Sequence, residues 1–264
     1  MTQVELEALQ KIEAALLRAE ASGFESTAEA LRKMWNDFYR TRSVHFTLSC
    51  IENSEVPLVQ FNIVVEGGQL LDDPNKVGVA NLLGQLMTQG TKNKTAQELE
   101  EAIQQLGANI NVRAGRENFV ISGNTLARNY SKTLELIEEI LLEPRWDQKE
   151  FQLIKQRTVS NIRQQEANPN AIASNAYNLL IYGKDNILSQ NILGSELNVN
   201  AITLEDLKSY YTANFSPSVA TMHVVGDISK SDVLTSLVTI DSNWESKPVS
   251  IPSLPIAESP KKSQ

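Results

Sequence analysis

The hydrophobic pattern of this chain changes its period near residue 40, and this change limits the folds that the chain can adopt. Between residues 3 and 40, apolar residues recur with helical spacing on two stripes, separated by a break at Ser22-Gly23. The stripes are Leu6, Leu9, Ile12, Ala15 and Leu16, then Ala28, Leu31, Met34 and Phe38, with Trp35 and Tyr39 beside the second. From residue 44 onward apolar and polar residues alternate, as in a half-buried strand. The pattern predicts a helical segment followed by a domain that contains a sheet.

Strand and helix signals follow one another through the rest of the chain. Strands are predicted at residues 44–51, 56–65, 109–114, 118–125 and 219–225. Helices are predicted at residues 78–89, 95–106, 131–142, 147–166, 170–182, 203–214 and 230–240. Paired strands with runs of helices between them predict an α+β fold, a two-layer domain with helices packed on one face of a mostly antiparallel sheet.

The stretch from Gly78 to Gly90 is predicted to form a short helix with two distinct faces. One face carries apolar residues at the i, i+3, i+4 and i+7 spacing of an amphipathic helix. These apolar residues are Val79, Leu82, Leu83 and Leu86. Asn81, Gly84 and Gln85 lie together on another face. A helix of this composition is ordinary by itself, since its apolar face only needs a core to pack against.

Composition excludes several classes of function. The 264-residue chain has a formal net charge of -8 and no cluster of Lys and Arg, so nucleic acid is not expected as a partner. No apolar run reaches the length of a membrane-spanning helix. No G-x-G-x-x-G or P-loop pattern supports nucleotide binding. The N-terminus lacks the basic region and apolar core of a signal peptide.

Cysteine and histidine are scarce in this sequence. The single Cys50 excludes an internal disulfide and a multi-cysteine zinc site. His45 and His223 are the two histidines, and each lies in a strand-like segment where a core or edge position is expected. An enzyme of another mechanism would need a nucleophile beside a base, for which Cys50 with His45 or His223 is the candidate. A buried, inert thiol is the expectation for Cys50.

Several short phrases occur in a fixed order between residues 44 and 248. They are Gly67-Gly68, Leu71-Asp72-Asp73, Gly78-Val79-Ala80, Gly90-Thr91, Leu106-Gly107-Ala108, Asn168-Pro169, Leu193-Gly194, Ile202-Thr203-Leu204-Glu205-Asp206-Leu207 and Val224-Val225-Gly226-Asp227. No single phrase is specific. The ordered series resembles the pitrilysin and insulinase family of inverted-zincin metallopeptidases, which includes the mitochondrial processing peptidase. The resemblance implies the mitochondrial-processing-peptidase-like metallohydrolase fold.

The resemblance also identifies where a zinc site would lie in this sequence. Active members of the family carry His-x-x-Glu-His on the helix after the second strand, with two zinc-binding imidazoles and a Glu as general base. These positions correspond to Asn81, Gly84 and Gln85, and the third ligand, a Glu on a later helix, corresponds to a position near Asn161. Amides are poor zinc ligands and Gly84 has no side chain to accept a proton. The resemblance therefore implies a degenerate site, with no cofactor in this chain and zinc in a partner domain.

Three parts of the chain are distinguished by this comparison. Residues 1–43 are expected to be a helical segment linking from, or packing on, a preceding domain. Residues 44–247 are expected to be the degenerate peptidase-like domain. Residues 248–264, with Pro248, Pro252, Pro255 and Pro260, are expected to be an extended linker to a following domain. The chain is thus interpreted as a piece of a longer, fused bacterial zinc peptidase.

Two functions remain open at this stage. The resemblance implies a non-catalytic wall of a peptide-binding chamber that packs with sister peptidase domains, in the same or another chain. The alternative is a purely structural assembly subunit, like the respiratory-complex core proteins of this family. The expected location is the periplasm if the parent protein is exported, and the cytoplasm otherwise.

Overall fold

The computed structural model describes residues 46–184 and 186–253, together with the isolated positions 14, 15, 18, 22 and 27. The strands are β1 (Thr47–Glu52), β2 (Leu58–Glu66), β3 (Asn109–Ala114), β4 (Asn118–Leu126) and β5 (Ala220–Gly226). The helices are α1 (Val79–Leu86), α2 (Ala96–Gln105), α3 (Tyr130–Leu142), α4 (Gln148–Glu166), α5 (Pro169–Tyr182), α6 (Glu196–Ala201), α7 (Leu204–Asn214), α8 (Lys230–Ser236) and α9 (Val238–Asn243). Short 3-10 turns occupy Gly68–Leu71, Ala127–Asn129, Ile187–Ser189 and Pro217–Val219.

The strands form one sheet in the order β1-β5-β2-β4-β3. β2 pairs antiparallel with β4 and β5, β3 pairs antiparallel with β4, and β1 runs parallel to β5. β3 and β4 form a hairpin, in whose turn the N–H of Gly115 donates to the carbonyl of Asn118 at 2.6 Å. The mostly antiparallel sheet confirms the prediction, and β1 and β3 are its edge strands within the described residues.

One face of the sheet carries the hydrophobic core. Val59, Phe61 and Ile63 on β2 are buried, whereas the residues between them are exposed. β5 shows the same alternation, with Met222 and Val224 buried. These side chains belong to a single cluster that also contains the buried residues of the helices. The helices therefore cover one face of the sheet, which confirms the two-layer α+β class.

The longest helix, α4, shows how closely the sequence pattern fits the packing. Its buried residues are Phe151, Ile154, Thr158 and Ile162, the four that helical spacing places on one face. The Asp147 carboxylate accepts hydrogen bonds from the N–H groups of Lys149 and Glu150, which closes the first turn. A capping box starts α2, with reciprocal hydrogen bonds between Thr95 and Glu98.

The boundaries differ from the predictions at several places. α1 ends at Leu86 rather than at 89, and the last predicted helix divides at Leu237 into α8 and α9. The predicted strand at 44–51 is observed from Thr47 to Glu52, and its first two residues lie outside the described part. The two helices predicted between residues 3 and 40 also lie outside it, apart from the isolated positions.

The chain after α9 is attached to the domain before the proline-rich tail begins. The Ser216 hydroxyl donates a hydrogen bond to the Lys247 carbonyl at 2.7 Å, and the Lys247 N–H donates to the hydroxyl oxygen of Ser216 at 2.9 Å. Residues 248–253 have no helix or strand, and the rest of the predicted linker lies outside the described residues. Within the described part of the chain, no helix combines the length and apolar character needed to cross a membrane.

Candidate functional site

The helix α1, on which the resemblance would place a zinc site, is held at its start by the buried carboxylate of Asp72. The two Asp72 oxygens accept hydrogen bonds from the N–H groups of Gly78 at 2.8 Å and Ala80 at 2.9 Å. These bonds satisfy donors that the first turn of a helix leaves free. Burial raises the pKa of the Asp72 carboxyl to about 7, although the two N–H groups act in the opposite direction.

Two of the family phrases meet beside this cap. Gly78 has a φ of +110° and Gly194 a φ of +78°, both in the region that favours glycine. A Cβ on Gly78 would lie 2.7 Å from the carbonyl oxygen of Leu193, and one on Gly194 would lie 2.0 Å from that of Val77. The two backbones therefore pass so closely that side chains are excluded from both positions. This contact fixes the start of α1 against the loop after α5.

The predicted polar face of α1 lies between the edge strand β3 and α4. Gly84 is buried, and a Cβ there would lie 3.0 Å from the backbone nitrogen of Ala114 on β3. Asn81 and Gln85 are each half-buried. The Asn81 Nδ2 is buried without a hydrogen-bond partner among the described atoms. The opposite stripe of α1 is fully packed, as predicted.

The residue of α4 that contacts this face is Thr158. The Gln85 Nε2 donates to the Thr158 hydroxyl at 3.4 Å, and Thr158 itself is buried. Asn161, the position aligned with the third ligand, is exposed. Gln85 therefore contacts α4 at Thr158, which lies three residues before the predicted third-ligand position, Asn161. The alignment of Asn81, Gly84, Gln85 and Asn161 with the family's zinc ligands and base stays a prediction.

The residues at this place do not fit a zinc ion. The groups around it are the Asn81 amide, whose N–H has no hydrogen-bond partner among the described atoms, the Gln85 amide, which is hydrogen-bonded to the Thr158 hydroxyl, and Gly84. Zinc binds imidazole, thiolate or carboxylate, and none of these occurs among Asn81, Gly84, Gln85 and Thr158. In the described part of the chain, no group of three or more His, Cys, Asp and Glu side chains is arranged to hold a metal.

The alternative nucleophile and base lie on opposite faces of the sheet. Cys50 pairs in register with Val224, which is buried, while His223 pairs with Ser49. Cys50 is half-buried on the core side and His223 is exposed on the other side. Burial raises the pKa of the Cys50 thiol, which disfavours the thiolate. The pairing of Cys50 with His223 is therefore wrong, and His45 lies outside the described residues.

Three polar residues near α1 were not recognised from the sequence as parts of this site. Asp72 caps the helix, Thr158 receives Gln85, and Gln69 is fully buried with its Nε2 donating to the carbonyl of Gln190 at 3.0 Å. The sequence does contain an indication for Thr158, because it is the one polar residue among the four on the buried face of α4. Asp72 had a weaker signal, as a carboxylate shortly before a glycine that begins a helix.

The fold defines a two-layer α+β domain, and comparison with known families identifies the class of protein to which it belongs. The family model described as insulinase, peptidase family M16, matches residues 49–191, more than half of the chain. This chain belongs to the insulinase family of peptidases. The resemblance found in the ordered phrases is confirmed.

Individual relatives are distant. The chain is 26% identical over 153 residues to the mitochondrial-processing peptidase subunit beta of Saccharomyces cerevisiae, covering 58% of this chain and 33% of that protein. It is 23% identical over 186 residues to a non-peptidase homolog, YmxG, of Helicobacter pylori, covering 70% of this chain and 43% of the homolog. The chain thus spans between about a third and a half of the length of these relatives.

A solved structure shares the fold. A peptidase M16 inactive domain from Pseudomonas fluorescens superposes with a TM-score of 0.73 at 22% identity, covering 82% of this chain and 52% of that structure. A protease from Helicobacter pylori gives a TM-score of 0.71 at 20% identity, again over 82% of this chain and 52% of that structure. Both likenesses show the fold of the present domain.

Proposed function

We propose that this chain is a non-catalytic domain of a zinc metallopeptidase, forming part of the wall of a peptide-binding chamber. The proposal rests on α1, whose packing residues and polar residues differ in what they retain. The helix keeps its cap and its packed apolar stripe, whereas the positions aligned with the zinc ligands and the base hold Asn81, Gly84 and Gln85. The fold has been kept without the groups that hydrolysis needs.

The partner in this proposal is a sister peptidase domain that carries zinc, in the same chain or in another. Similarity to a protein named as a non-peptidase homolog and to a structure described as an inactive domain supports a non-catalytic role. Similarity to proteins named as zinc proteases supports a catalytic partner of the same family. The chain matches about half of such proteins, which leaves room in them for the sister domain.

A peptide could be held along the outer edge of β3. Gly115 and Asn118 form a hydrogen-bonded pair at the turn, and such pairs alternate along an antiparallel ladder. The N–H and C=O groups of Ile110 and Val112 therefore point away from β4. An extended peptide adds to such an edge through main-chain hydrogen bonds, which require little of its sequence. Gly84 of α1 lies against the Ala114 end of the same strand.

Metal analysis tests the non-catalytic part of the proposal. The purified chain is dialysed with zinc and then assayed by atomic emission, and we expect less than stoichiometric metal. The variant Asn81→His/Gln85→His is the positive control, because two imidazoles at i and i+4 share one helix face and bind zinc. Tight, stoichiometric zinc in the wild-type chain would show that the proposal is wrong.

Peptide cross-linking tests the chamber-wall part. A synthetic unstructured peptide carrying a benzophenone is irradiated with the chain, and the cross-links are mapped. The variant Ile110→Pro removes one outward N–H without removing a hydrogen bond to β4, and we expect about three- to tenfold weaker peptide binding. Ile110→Ala is the matched control, since it loses side-chain packing but keeps the N–H. Equal loss in both variants would contradict binding at this edge.

Peptide cross-linking together with an assembly assay distinguishes the purely structural role. If no peptide cross-links at β3 and removal of the domain abolishes assembly with its sister domain, the chain is an assembly subunit. Cross-linking at β3 with the assembly intact supports the chamber wall.

A further inference from the structure

Five carboxamide side chains lie together on the face of the sheet opposite the hydrophobic core. The strand register places them in two adjacent rows across three neighbouring strands, with one serine among them. The first row is Gln60, Asn124 and Asn109, and the second row is Asn62, Ser122 and Asn111, each row running from β2 through β4 to β3. These six residues form the amide array. With two residues along each strand and three strands, the array measures about 7 Å by 10 Å.

The polar groups of the amide array are free to bind a ligand. Four of its residues are exposed and two are half-buried, the latter being Ser122 and Asn111. Within the described part of the chain, Asn111 alone of the six has a side-chain hydrogen bond, which its oxygen accepts from the Nε of Arg113 at 3.1 Å. Each carboxamide offers two N–H donors and an accepting oxygen. The neighbouring amides therefore do not satisfy one another, and their donors and acceptors face the solvent.

Asparagine is an unfavourable choice for these positions. It is depleted in strands, where β-branched and aromatic residues fit better. The described strands β1 and β5 contain neither asparagine nor glutamine. On the same face they contribute Thr47, Ser49, Ile51, Thr221, His223 and Val225. A departure from local propensity that is confined to one patch is expected at a functional site.

The amide array carries no charge, although the chain as a whole has a net charge of -8. None of its six side chains ionises between pH 4 and pH 9. Depletion of charged residues is a feature of the centre of binding interfaces. A ligand that matches this surface is polar, uncharged and rich in both donors and acceptors. The backbone of a peptide has this chemistry, and so do the hydroxyl groups of a neutral glycan.

The spacing of the array favours the peptide backbone. Gln60 and Asn62 are two residues apart on β2, and Asn109 and Asn111 are two residues apart on β3, so the members of each pair are about 6.7 Å apart. An extended peptide has the same repeat, and each of its edges presents the N–H and C=O of every second residue. One carboxamide can pair with both groups, because it holds a donor and an acceptor side by side. A peptide aligned with the strands therefore meets successive carboxamides in register.

We propose that the amide array binds the backbone of an extended peptide that lies over the sheet and runs along β2, β4 and β3. Such binding requires little of the peptide's sequence, because the contacts are with main-chain groups. The inference rests on the proposed peptide-binding role and adds a second surface to it, distinct from the outer edge of β3. Two stretches of one long peptide can then bind the same domain, which raises the overall affinity through the effective concentration of the second stretch.

Fluorescence anisotropy with a labelled peptide tests the array. The probe is a synthetic unstructured peptide with blocked termini and no charged side chain. The variant Asn62→Thr/Asn124→Thr removes two carboxamides and keeps residues suited to strands, and we expect about tenfold weaker binding. Ser49→Thr is the matched control, because Ser49 is exposed on the same face but lies on β1, and its affinity should equal that of the wild-type chain. Unfolding in urea checks that the double variant is as stable as the wild-type chain.

The outcomes separate the array from the β3 edge and from a glycan site. Equal affinity of the double variant and the wild-type chain would overturn the proposal. If Ile110→Pro alone weakens binding, the peptide binds at the edge, so the proposed function stands and the array does not. If the wild-type chain binds no peptide, both are wrong. Binding of a neutral β-glucan hexasaccharide in place of the peptide, lost in the double variant, would assign the array to a glycan and overturn the proposal.

Discussion

Gln85 of α1 donates a hydrogen bond to the Thr158 hydroxyl of α4 across 3.4 Å, at the place where the two helices meet. The family resemblance places a zinc-binding imidazole at position 85, with a carboxylate from the later helix near it. Here an amide and a hydroxyl join the helices directly. The contact between α1 and α4 thus has a polar link that needs no metal.

This link should be measurable by a double-mutant cycle. Thr158→Val and Gln85→Met each remove one partner at nearly constant volume, and the double variant removes both. We expect a coupling free energy of about 0.5–1 kcal/mol, since a half-buried neutral hydrogen bond contributes about this much to stability. The free energy of unfolding in urea is the measurement. Additive effects of the two substitutions would show that the bond contributes nothing.

The close approach of α1 to β3 leaves no room for a Glu side chain at position 84, where the resemblance would place the family's general base. A Cβ at Gly84 would already lie 3.0 Å from the backbone nitrogen of Ala114, so a Glu side chain must move the helix or the strand. We expect Gly84→Glu to lower the free energy of unfolding by about 1–3 kcal/mol. The matched control is Gln152→Glu on the exposed face of α4, which should change stability by less than about 0.5 kcal/mol. An unchanged free energy of unfolding in Gly84→Glu would mean that α1 is free to shift.

Local signals predicted most of the helices and strands because their causes lie within a few residues. The capping boxes at Thr95 and Thr203 start α2 and α7, and the spacing of Phe151 and Ile154 identifies the buried face of α4. These features depend on neighbours three or four positions away. They are therefore readable from one sequence.

The arrangement of these elements has causes that a single sequence does not contain. Alternation along β5 shows that Met222 and Val224 face the core, but not that β5 lies between β1 and β2. The division of the last helix at Leu237 leaves no mark in the apolar pattern. At the site, the meeting of Gly78 with Gly194 joins residues more than a hundred positions apart. The family resemblance noted both phrases, and only the structure shows that they touch.

That meeting yields a third prediction. Gly194→Ala would place a Cβ 2.0 Å from the carbonyl oxygen of Val77, at a φ of +78°. Gly183 has nearly the same φ, +77°, but nothing lies within 4 Å of a Cβ there. Gly183 combines this φ with a ψ of +157°, a region essentially confined to glycine, so we expect Gly183→Ala to cost about 1–3 kcal/mol of stability from backbone strain alone. Gly194→Ala should cost clearly more, because the loop must also move away from α1.

Thermal unfolding of the two variants separates the cost of backbone strain from the cost of the clash with Val77. A larger loss of melting temperature in Gly194→Ala than in Gly183→Ala is the expected result. Equal losses would show that the loop after α5 does not constrain the start of α1.

The last prediction concerns the pH dependence of stability through Asp72. Burial raises its pKa from 3.8 to about 7 in the folded chain, with Asp73 adding to the effect. Between about pH 4 and pH 7 the folded state therefore holds a proton that the unfolded state has released. Stability from this group is fully present below about pH 4 and is lost as the pH rises through 7, by at most about 1.4 kcal/mol per pH unit.

The variant Asp72→Asn isolates this contribution, because it keeps the shape of the side chain and cannot titrate. The measurement is the free energy of unfolding in urea for both chains at a series of pH values between 5 and 8. We expect the stability of the wild-type chain, relative to Asp72→Asn, to fall as the pH rises and to level off above about pH 8. A relative stability that rises with pH would mean that the N–H groups of Gly78 and Ala80 outweigh burial, and that Asp72 caps α1 as a carboxylate throughout this range.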